Sequence, residues 1–288
     1  MKDPRSWSAF AALGFLWGIP YFFIKIAVVH LPPSVVALGR LSTAALVLLP
    51  VAWHRGAFRG LGSHMGAICA FAFVEFAMPF CAISTAEQWI PSSVAGILIA
   101  TVPLVVFGLS RRFGVHEPMP ASRLAGLCIG LVGVATLVGV GPVHGVRGWL
   151  GVAAMMAAAV GYATGPLIIQ RHFRGFDALG PVAASILVAD AMVLVPALLQ
   201  WPTSPPPVEA YAAIVVLGIP CTAVAMLLMF YLVSHAGAAR ASVITYINPV
   251  VATVLGALQL HENLGLGGYA GLALILGGSW LATRQAAR

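Results

Sequence analysis

The stretch HMGAICAFAFVEFAMPFCAIS, from His64 to Ser84, is apolar and long enough to cross a bilayer as one helix. The carboxylate of Glu75 lies near its middle, and Pro79 follows one turn later. An ionisable side chain at such a depth normally faces a polar cavity or a partner, because its exposure to lipid costs at least about 2.5 kcal/mol. Glu75 is therefore either a neutralised packing residue or a group that lines a path for a solute.

The rest of the chain shares the apolar character of this stretch. Hydrophobic residues make up 60% of its 288 residues and charged residues only 8%, whereas soluble domains are about 25% charged. The chain is therefore predicted to be an integral membrane protein, surrounded by the lipid bilayer. Its net charge of +7 comes from basic residues that stand in ones and twos between apolar runs. This pattern indicates membrane topology and argues against a nucleic-acid partner.

The sequence contains no recognisable catalytic or metal-binding motif. The four cysteines lie in apolar runs without C-x-x-C spacing, and the eight histidines fall in loops or at helix ends without ligand spacing. Patterns such as H-E-x-x-H, the P-loop and G-x-S-x-G are also absent from the sequence. We therefore expect no metal, no cofactor and no enzymatic activity.

Glycine, proline and charged residues divide the chain into ten apolar segments of spanning length. The first follows a basic segment like that of a signal peptide, but its apolar run is too long and no cleavage site follows, so we expect it to be retained. The sequence thus predicts an all-α membrane protein with ten transmembrane helices. The predicted spans are 7–29, 34–53, 64–85, 91–110, 123–140, 147–170, 178–200, 209–234, 240–259 and 265–283.

Lysine and arginine are concentrated on one side of these spans, which predicts that both termini are cytoplasmic. In the loops of the opposite side only Arg147 occurs, while Lys25 and Arg40 lie within helices near that side. The residues on the basic side are Lys2, Arg5, Arg55, Arg59, Arg111, Arg112, Arg123, Arg171, Arg174, Arg240, Arg284 and Arg288.

The two halves of the chain have matching features. Pro103 is followed by Glu117, and Pro249 by Glu262 at nearly the same interval. After each acid comes a helix with spaced glycines, AGLCIGLVGVATL in one half and AGLALILGGSWL in the other. These matches predict an internal duplication of five helices per copy.

The predicted repeats are residues 1–141 and 147–288, with the second copy inverted across the membrane because five is an odd number. Inverted repeats are typical of transporters that alternate access to a site near the midplane.

Several motifs resemble those of the EamA-type transporters in the drug/metabolite transporter superfamily. The first helix contains LWGIPYFFIKIAV, and PPSVVALGR opens the second helix with Arg40 at its end. The segments VAGILIATVPLVV and ASVITYINPVVATVLG resemble the paired family segments of the two halves. The loop acids and the glycine helices behind them complete a resemblance that covers the whole chain.

This resemblance implies a ten-helix inverted-repeat carrier in the inner membrane, often an exporter of amino acids or related metabolites. It also implies a central cavity formed by helices 1, 3, 4, 6, 8 and 9. Such a carrier would be secondary-active, with a small-molecule substrate and possible coupling to protons.

Arg40 and Glu75 lie at similar predicted depths, about 9 and 13 Å from the same side at 1.5 Å per residue. They could form an ion pair that fixes helices 2 and 3, or Arg40 could bind a substrate carboxylate. Glu75 is the candidate group for proton coupling. Two further charged residues, Lys25 and Asp190, lie within spans. The long side chain of Lys25 is expected to extend to the interface. Asp190 is a titrating group, an oligomer contact or a packing acid that is hydrogen-bonded to a hydroxyl.

Interrupted turns supply the remaining candidates for substrate binding. Prolines free backbone carbonyls about one turn back, and kinked polar turns at equivalent places of two repeats indicate a transport site. A hinge without ligand contact, or simple packing of the aromatics, remains the alternative for each. The candidates from these turns are Trp17, Pro79, Thr101, Tyr162, Tyr246 and Asn248.

A secondary transporter explains these features best, and two alternatives remain. An intramembrane enzyme would need a catalytic pair, for which Glu75 and Asp190 are the only candidates. A channel-like facilitator would use the same polar cavity, although a channel should show a polar stripe through several helices. The oligomeric state is left open between a monomer and a homodimer.

Overall fold

The computed structural model of the protein describes residues 4–110, 121–140, 143–236, 244 and 247–283. These residues form helices and connections, with no strand among them. Six helical segments in this part of the chain are long and apolar enough to cross a membrane, and three shorter apolar helices accompany them. The prediction of an all-α membrane protein is confirmed at this level. Glu117 and Tyr246 lie outside the described residues.

The helices follow one another in the order α1 (Pro4–Gly18), α2 (Pro20–Val28), α3 (Pro33–His54), α4 (Met65–Phe71), α5 (Met78–Ala86), α6 (Ser92–Ile99), α7 (Val102–Ser110), α8 (Ala121–Val140), α9 (Gly145–His172), α10 (Leu179–Leu199), α11 (Val208–Gly218), α12 (Ala225–Ala236), α13 (Asn248–Gln259) and α14 (Gly265–Thr283). A short 3₁₀ segment, Leu61–His64, precedes α4.

The predicted interruptions of the first and fourth spans are present. Ile19 separates α1 from α2, directly before Pro20, and residues 100–101 separate α6 from α7, before Pro103. Proline lacks an amide hydrogen and its ring displaces the carbonyl one turn back, so the helix breaks there. The side chain of Ser279 on α14 donates to the Ala100 carbonyl at 2.9 Å, which satisfies an acceptor at the second break.

Two π-helical turns lie within otherwise α-helical segments. Ala72–Ala77 joins α4 to α5, and Ile219–Val224 joins α11 to α12. Each is accompanied by a proline, Pro79 after the first and Pro220 within the second. The missing proline donor favours a wider turn, in which the Met78 amide bonds to the Phe73 carbonyl five residues back. Such turns occur frequently at functional sites.

Glycines allow several helices to approach backbone to backbone. A Cβ at Gly133 of α8 would lie 2.8 Å from the Ile275 nitrogen, and one at Gly278 of α14 would lie 2.5 Å from the Gly130 nitrogen. The spaced glycines of these two helices thus serve close helix packing.

Helices α3 and α10 are joined by a polar contact within the membrane. Ser42 donates a hydrogen bond of 2.9 Å to the Oδ1 atom of Asp190. Of the interpretations proposed for Asp190, the packing acid bonded to a hydroxyl is the one that this contact matches.

Candidate functional site

Arg40 is a buried cation at the junction of three helices. It is 7% exposed, and its Nε donates to the Thr222 hydroxyl at 2.9 Å. The Thr222 hydroxyl donates its own hydrogen bond to the Leu217 carbonyl at 2.8 Å, so its oxygen can accept from arginine. The guanidinium carbon lies 3.7 Å from the centre of the Phe80 ring, a cation–π contact that holds the plane of the group.

No carboxylate of the described residues forms an ion pair with Arg40. The direct ion pair with Glu75, one of the two alternatives for Arg40, is therefore not formed, although Tyr162 lies within electrostatic range of both residues. Tyr21 is also within electrostatic range of Arg40. Thr222 holds the Nε edge of the Arg40 guanidinium, and the Phe80 ring covers one face. The remaining N–H donors of the guanidinium are therefore available to an anion.

Glu75 lies on the π-helical turn Ala72–Ala77 and faces α9. The residue is half-buried, and its Oε2 atom is shielded without a hydrogen-bond partner among the described residues. A Cβ added at Gly165 would collide with this oxygen, and one added at Gly161 would collide with the Val74 carbonyl. The two glycines therefore let α9 approach the π-helical turn closely enough to cover the carboxylate.

An aromatic column connects the Glu75 turn to Arg40. The rings of Phe71, Phe76 and Phe80 follow one another edge to face, at centroid distances of 5.6 and 5.8 Å. Phe80 ends the column beneath the Arg40 guanidinium. The same helix segment thus supplies both the acid and the platform for the cation.

The remaining predicted residues are spread over neighbouring helices. Pro79 is buried near Gly161, at 3.1 Å from a Cβ built there, and Thr101 is 2% exposed with its hydroxyl donating to the Leu98 carbonyl. Asn248 is buried at the start of α13, and its Oδ1 has no partner among the described residues. Trp17 packs instead at the edge of a separate apolar cluster around Leu13. The arrangement brings Arg40, Glu75, Pro79 and Tyr162 together and leaves Trp17 apart.

A second polar cluster lies at the end of the bundle that holds Lys25, Glu87 and Glu262, which we call the Lys25 end. The Lys25 ammonium donates to the carbonyls of Glu87 and Ile90 at 2.6 and 3.1 Å. Lys25 was expected to extend its side chain to the membrane interface; its ammonium instead forms hydrogen bonds with carbonyls just after the end of α5. Both carboxylate oxygens of Glu87 are buried without a hydrogen-bond partner among the described residues.

Glu262 caps α6 from a distant part of the chain. Its oxygens accept from the amides of Ser92 and Ser93 at 2.7 and 2.9 Å and from the Ser93 hydroxyl at 2.6 Å. A carboxylate at a helix N-terminus satisfies unpaired amides and favours the helix dipole. The loop that follows α13 is therefore tied to the start of α6.

Burial raises the pKa of the Glu87 carboxyl above its ordinary value; nearby Lys25 and Arg40 oppose this shift, and Glu262 adds to it. Glu87 directly follows the third candidate span, Leu61–Ala86.

No group of three or more histidine, cysteine, aspartate or glutamate side chains that could hold a metal occurs in the part of the chain that the structure describes.

Two segments of the chain, residues 6–139 and 149–284, match the model of the EamA-like transporter family. The chain belongs to the EamA-like transporter family. It is therefore a multi-pass membrane transporter, and its family membership points to transport rather than to enzymatic activity.

Relatives of this EamA-like transporter match most of its length at low sequence identity. It is 28% identical over 263 residues to the uncharacterized inner membrane transporter YedA of Escherichia coli (strain K12), covering 90% of this chain and 82% of that one. It is 25% identical over 292 residues to an uncharacterized transporter of Archaeoglobus fulgidus, covering 98% and 99% of the two chains. A protein of known crystal structure has the same fold, with a TM-score of 0.68, 20% identity and coverage of 98% and 97%.

The sequence prediction missed four residues that surround Arg40 and Lys25 in this EamA-like transporter. Glu87 was overlooked because the predicted third span ended at residue 85, and its apolar surroundings were the available signal. Thr222 could have been noticed as a hydroxyl beside Pro220. Phe80 and Tyr21 carry no distinguishing signal in an apolar, aromatic-rich chain, since only the packing of distant helices selects them.

Proposed function

We propose that this EamA-like transporter is a secondary-active exporter of small carboxylate-bearing metabolites, such as amino acids, in the inner membrane. The observation that carries the proposal is the Arg40 guanidinium, which is buried, oriented by Thr222 and Phe80, and without an ion-pair partner among the described residues. Burying an unpaired charge is costly, so a site that maintains one is suited to an anionic ligand. An arginine fork matches the geometry of a carboxylate.

The proposed architecture is ten transmembrane helices in two inverted five-helix repeats, residues 1–141 and 147–288. Support comes from the two family matches, which divide the chain at the same place. The two π-helical turns also support it, since each lies in the third helix of its proposed repeat.

The distribution of arginine and lysine supports a cytoplasmic location for both termini, so the Lys25 end faces outward. The inner membrane is proposed from the name of the relative YedA.

The proposed mechanism is alternating access, in which two bundles rock around the region between Arg40 and Glu75. The interrupted helices at Ile19 and residues 100–101 and the two π-helical turns supply points where the bundles can bend. The sequence has no ATP-binding motif, so a gradient of the solute or of protons supplies the driving force. Glu75, half-buried beside Tyr162, is the proposed proton-coupling group of the central region.

Transport by the purified protein in liposomes tests this function. Each of the twenty standard amino acids is supplied in radiolabelled form, beside the amine that lacks its carboxyl group, with and without a pH gradient across the membrane. We expect at least one amino acid to move faster than through protein-free liposomes, and its amine to move no faster than through them. Failure of all twenty would contradict the amino-acid substrate, and equal transport of acid and amine would contradict recognition by Arg40.

The role of Glu75 is tested in the same assay with Glu75→Gln. We expect this variant to weaken the dependence of transport on the pH gradient. Transport at the wild-type rate at every pH would exclude Glu75 from the cavity mechanism.

A further inference from the structure

Glu87 is the most deeply enclosed carboxylate at the Lys25 end. The residue is 0% exposed, and neither carboxylate oxygen has a hydrogen-bond partner among the described residues. A buried, ionised carboxylate normally accepts several hydrogen bonds, because its loss of hydration otherwise costs several kcal/mol, on the order of the penalty for a buried ion. The geometry therefore suits a carboxyl group that alternates between a neutral and a charged form.

Charged and titratable groups face Glu87 from several packed elements. Lys25 and Tyr21 come from α2, Arg40 from α3, and Glu262 from the loop after α13. Tyr162 of α9 is within electrostatic range of Arg40. The ammonium of Lys25 is bound to the main-chain carbonyl of Glu87 itself. Glu87 is thus within electrostatic range of two cations, Lys25 and the Arg40 of the proposed solute site.

A route for protons from the outer water is present at the same place. A cavity of about 410 Å³ opens at the Lys25 end, and its walls include Lys25, His30, Leu260 and Glu262. Two of these wall residues, Lys25 and Glu262, are also within electrostatic range of Glu87. The vestibule is therefore the nearest described water-accessible space with walls that act on the Glu87 carboxylate.

We propose that Glu87 is a proton-binding site of the carrier and takes up one proton when a solute carboxylate binds at Arg40. This proposal rests on the proposed function of Arg40. The physical reason is that one positive guanidinium stabilises either the ionised Glu87 or the solute carboxylate, and two anions beside it repel each other. The proton moves from water to a Glu87 oxygen and returns to water when the solute leaves.

This linkage makes the loaded and empty forms equal in net charge. Entry of one carboxylate adds a negative charge, and protonation of Glu87 removes one. The membrane potential then does not oppose movement of the loaded carrier. Because the proton moves in the same direction as the solute, export requires an outward solute gradient that exceeds any inward proton gradient.

The first test is an infrared pH titration of the detergent-solubilised protein without ligand. Glu75→Gln is the background, so that Glu75 contributes no carboxyl signal. We expect a protonated-carboxyl band that persists towards neutral pH, and its loss when Glu87→Gln is added. The matched control is Glu209→Gln, the same change at an exposed acid. A band that survives Glu87→Gln and also Glu87→Met, a neutral apolar variant of similar length, would overturn the proposal.

The second test measures proton uptake after each of the twenty amino acids is mixed with weakly buffered protein. We expect about one proton per bound molecule in wild type and in Glu209→Gln, and none in Glu87→Gln, while thermal shift shows that binding persists. Undiminished uptake in Glu87→Gln would overturn the linkage. If no amino acid binds wild type, the substrate class of the proposed function fails, and the infrared titration still decides whether Glu87 binds a proton.

Discussion

Glu75 and Thr222 each occupy the fourth position of a six-residue π-helical turn, Ala72–Ala77 and Ile219–Val224. One turn thus presents a carboxylate next to α9, and the other presents the hydroxyl that orients Arg40. A π-helical turn carries one residue more than the α-helix requires, so it displaces a side chain from its ordinary helical direction. The two turns thus supply the acid that contacts α9 and the hydroxyl that contacts Arg40.

The contact between Gly165 and Glu75 leads to the first prediction. Gly165→Ala places a methyl group where the Glu75 Oε2 atom lies, so α9 and the π-helical turn must separate. We expect a loss of about 1–3 kcal/mol in stability, as for overpacked cores, and a fall in the melting temperature of the detergent-solubilised protein. Gly66→Ala is the matched control, because nothing lies within 4 Å of a Cβ at that helical glycine. Equal melting temperatures for the two variants would show that the contact with Glu75 does not constrain α9.

The orientation of Arg40 by Thr222 gives the second prediction. Arg40→Lys keeps the charge and removes the fork and the Nε bond to Thr222, so uptake of the amino acid selected in liposomes should fall. A charge-assisted bond of about 1.5–3 kcal/mol corresponds to roughly 10–100-fold. Thr222→Val should give a smaller loss, because it removes only the acceptor of the Nε bond. Arg147→Lys, at an exposed position, is the control, and an equal effect at both positions would refute a specific role for Arg40.

The contact between Asp190 and Ser42 gives the third prediction, which concerns stability. Asp190→Ala and Ser42→Ala should each lower the melting temperature, and the double variant should cost less than their sum. The expected coupling is about 0.5–1.5 kcal/mol, the net contribution of one hydrogen bond. Asp190→Asn keeps an acceptor for Ser42 and should transport at the wild-type rate. A pH-dependent loss of transport in Asp190→Asn would instead make Asp190 a titrating group.

The sequence was informative wherever local rules determine the structure. Apolar length defined the spans, and proline marked the interruptions at Ile19 and at residues 100–101, because the missing amide acts on its own helix. Depth counted along a helix predicted similar depths for Arg40 and Glu75, and both residues are within electrostatic range of Tyr162. These predictions depend only on residues within one turn of the feature concerned.

The contacts between helices could not be predicted in the same way. Arg40 is hydrogen-bonded to Thr222, which lies 182 positions away in the chain. Glu262 is hydrogen-bonded to Ser93 at a separation of 169 positions. The direct ion pair between Arg40 and Glu75, one of the two alternatives, is not formed; Arg40 instead contacts Thr222 and the Phe80 ring. Rotation of each helix about its axis decides such contacts, and an apolar sequence with little amphipathic signal does not specify that rotation.

The cap that Glu262 forms on α6 gives the last prediction. Glu262→Gln keeps one acceptor oxygen but loses the charge that three donors share, so we expect a cost of about 1–2 kcal/mol and a lower melting temperature. Ser93→Ala removes one of these donors, and its effect should be smaller in the Glu262→Gln background than in wild type. Glu209→Gln, an exposed acid at the start of α11, should leave the melting temperature unchanged. If Glu262→Gln behaves like this control, the start of α6 is held by apolar packing alone, and the loop after α13 does not fasten the Lys25 end.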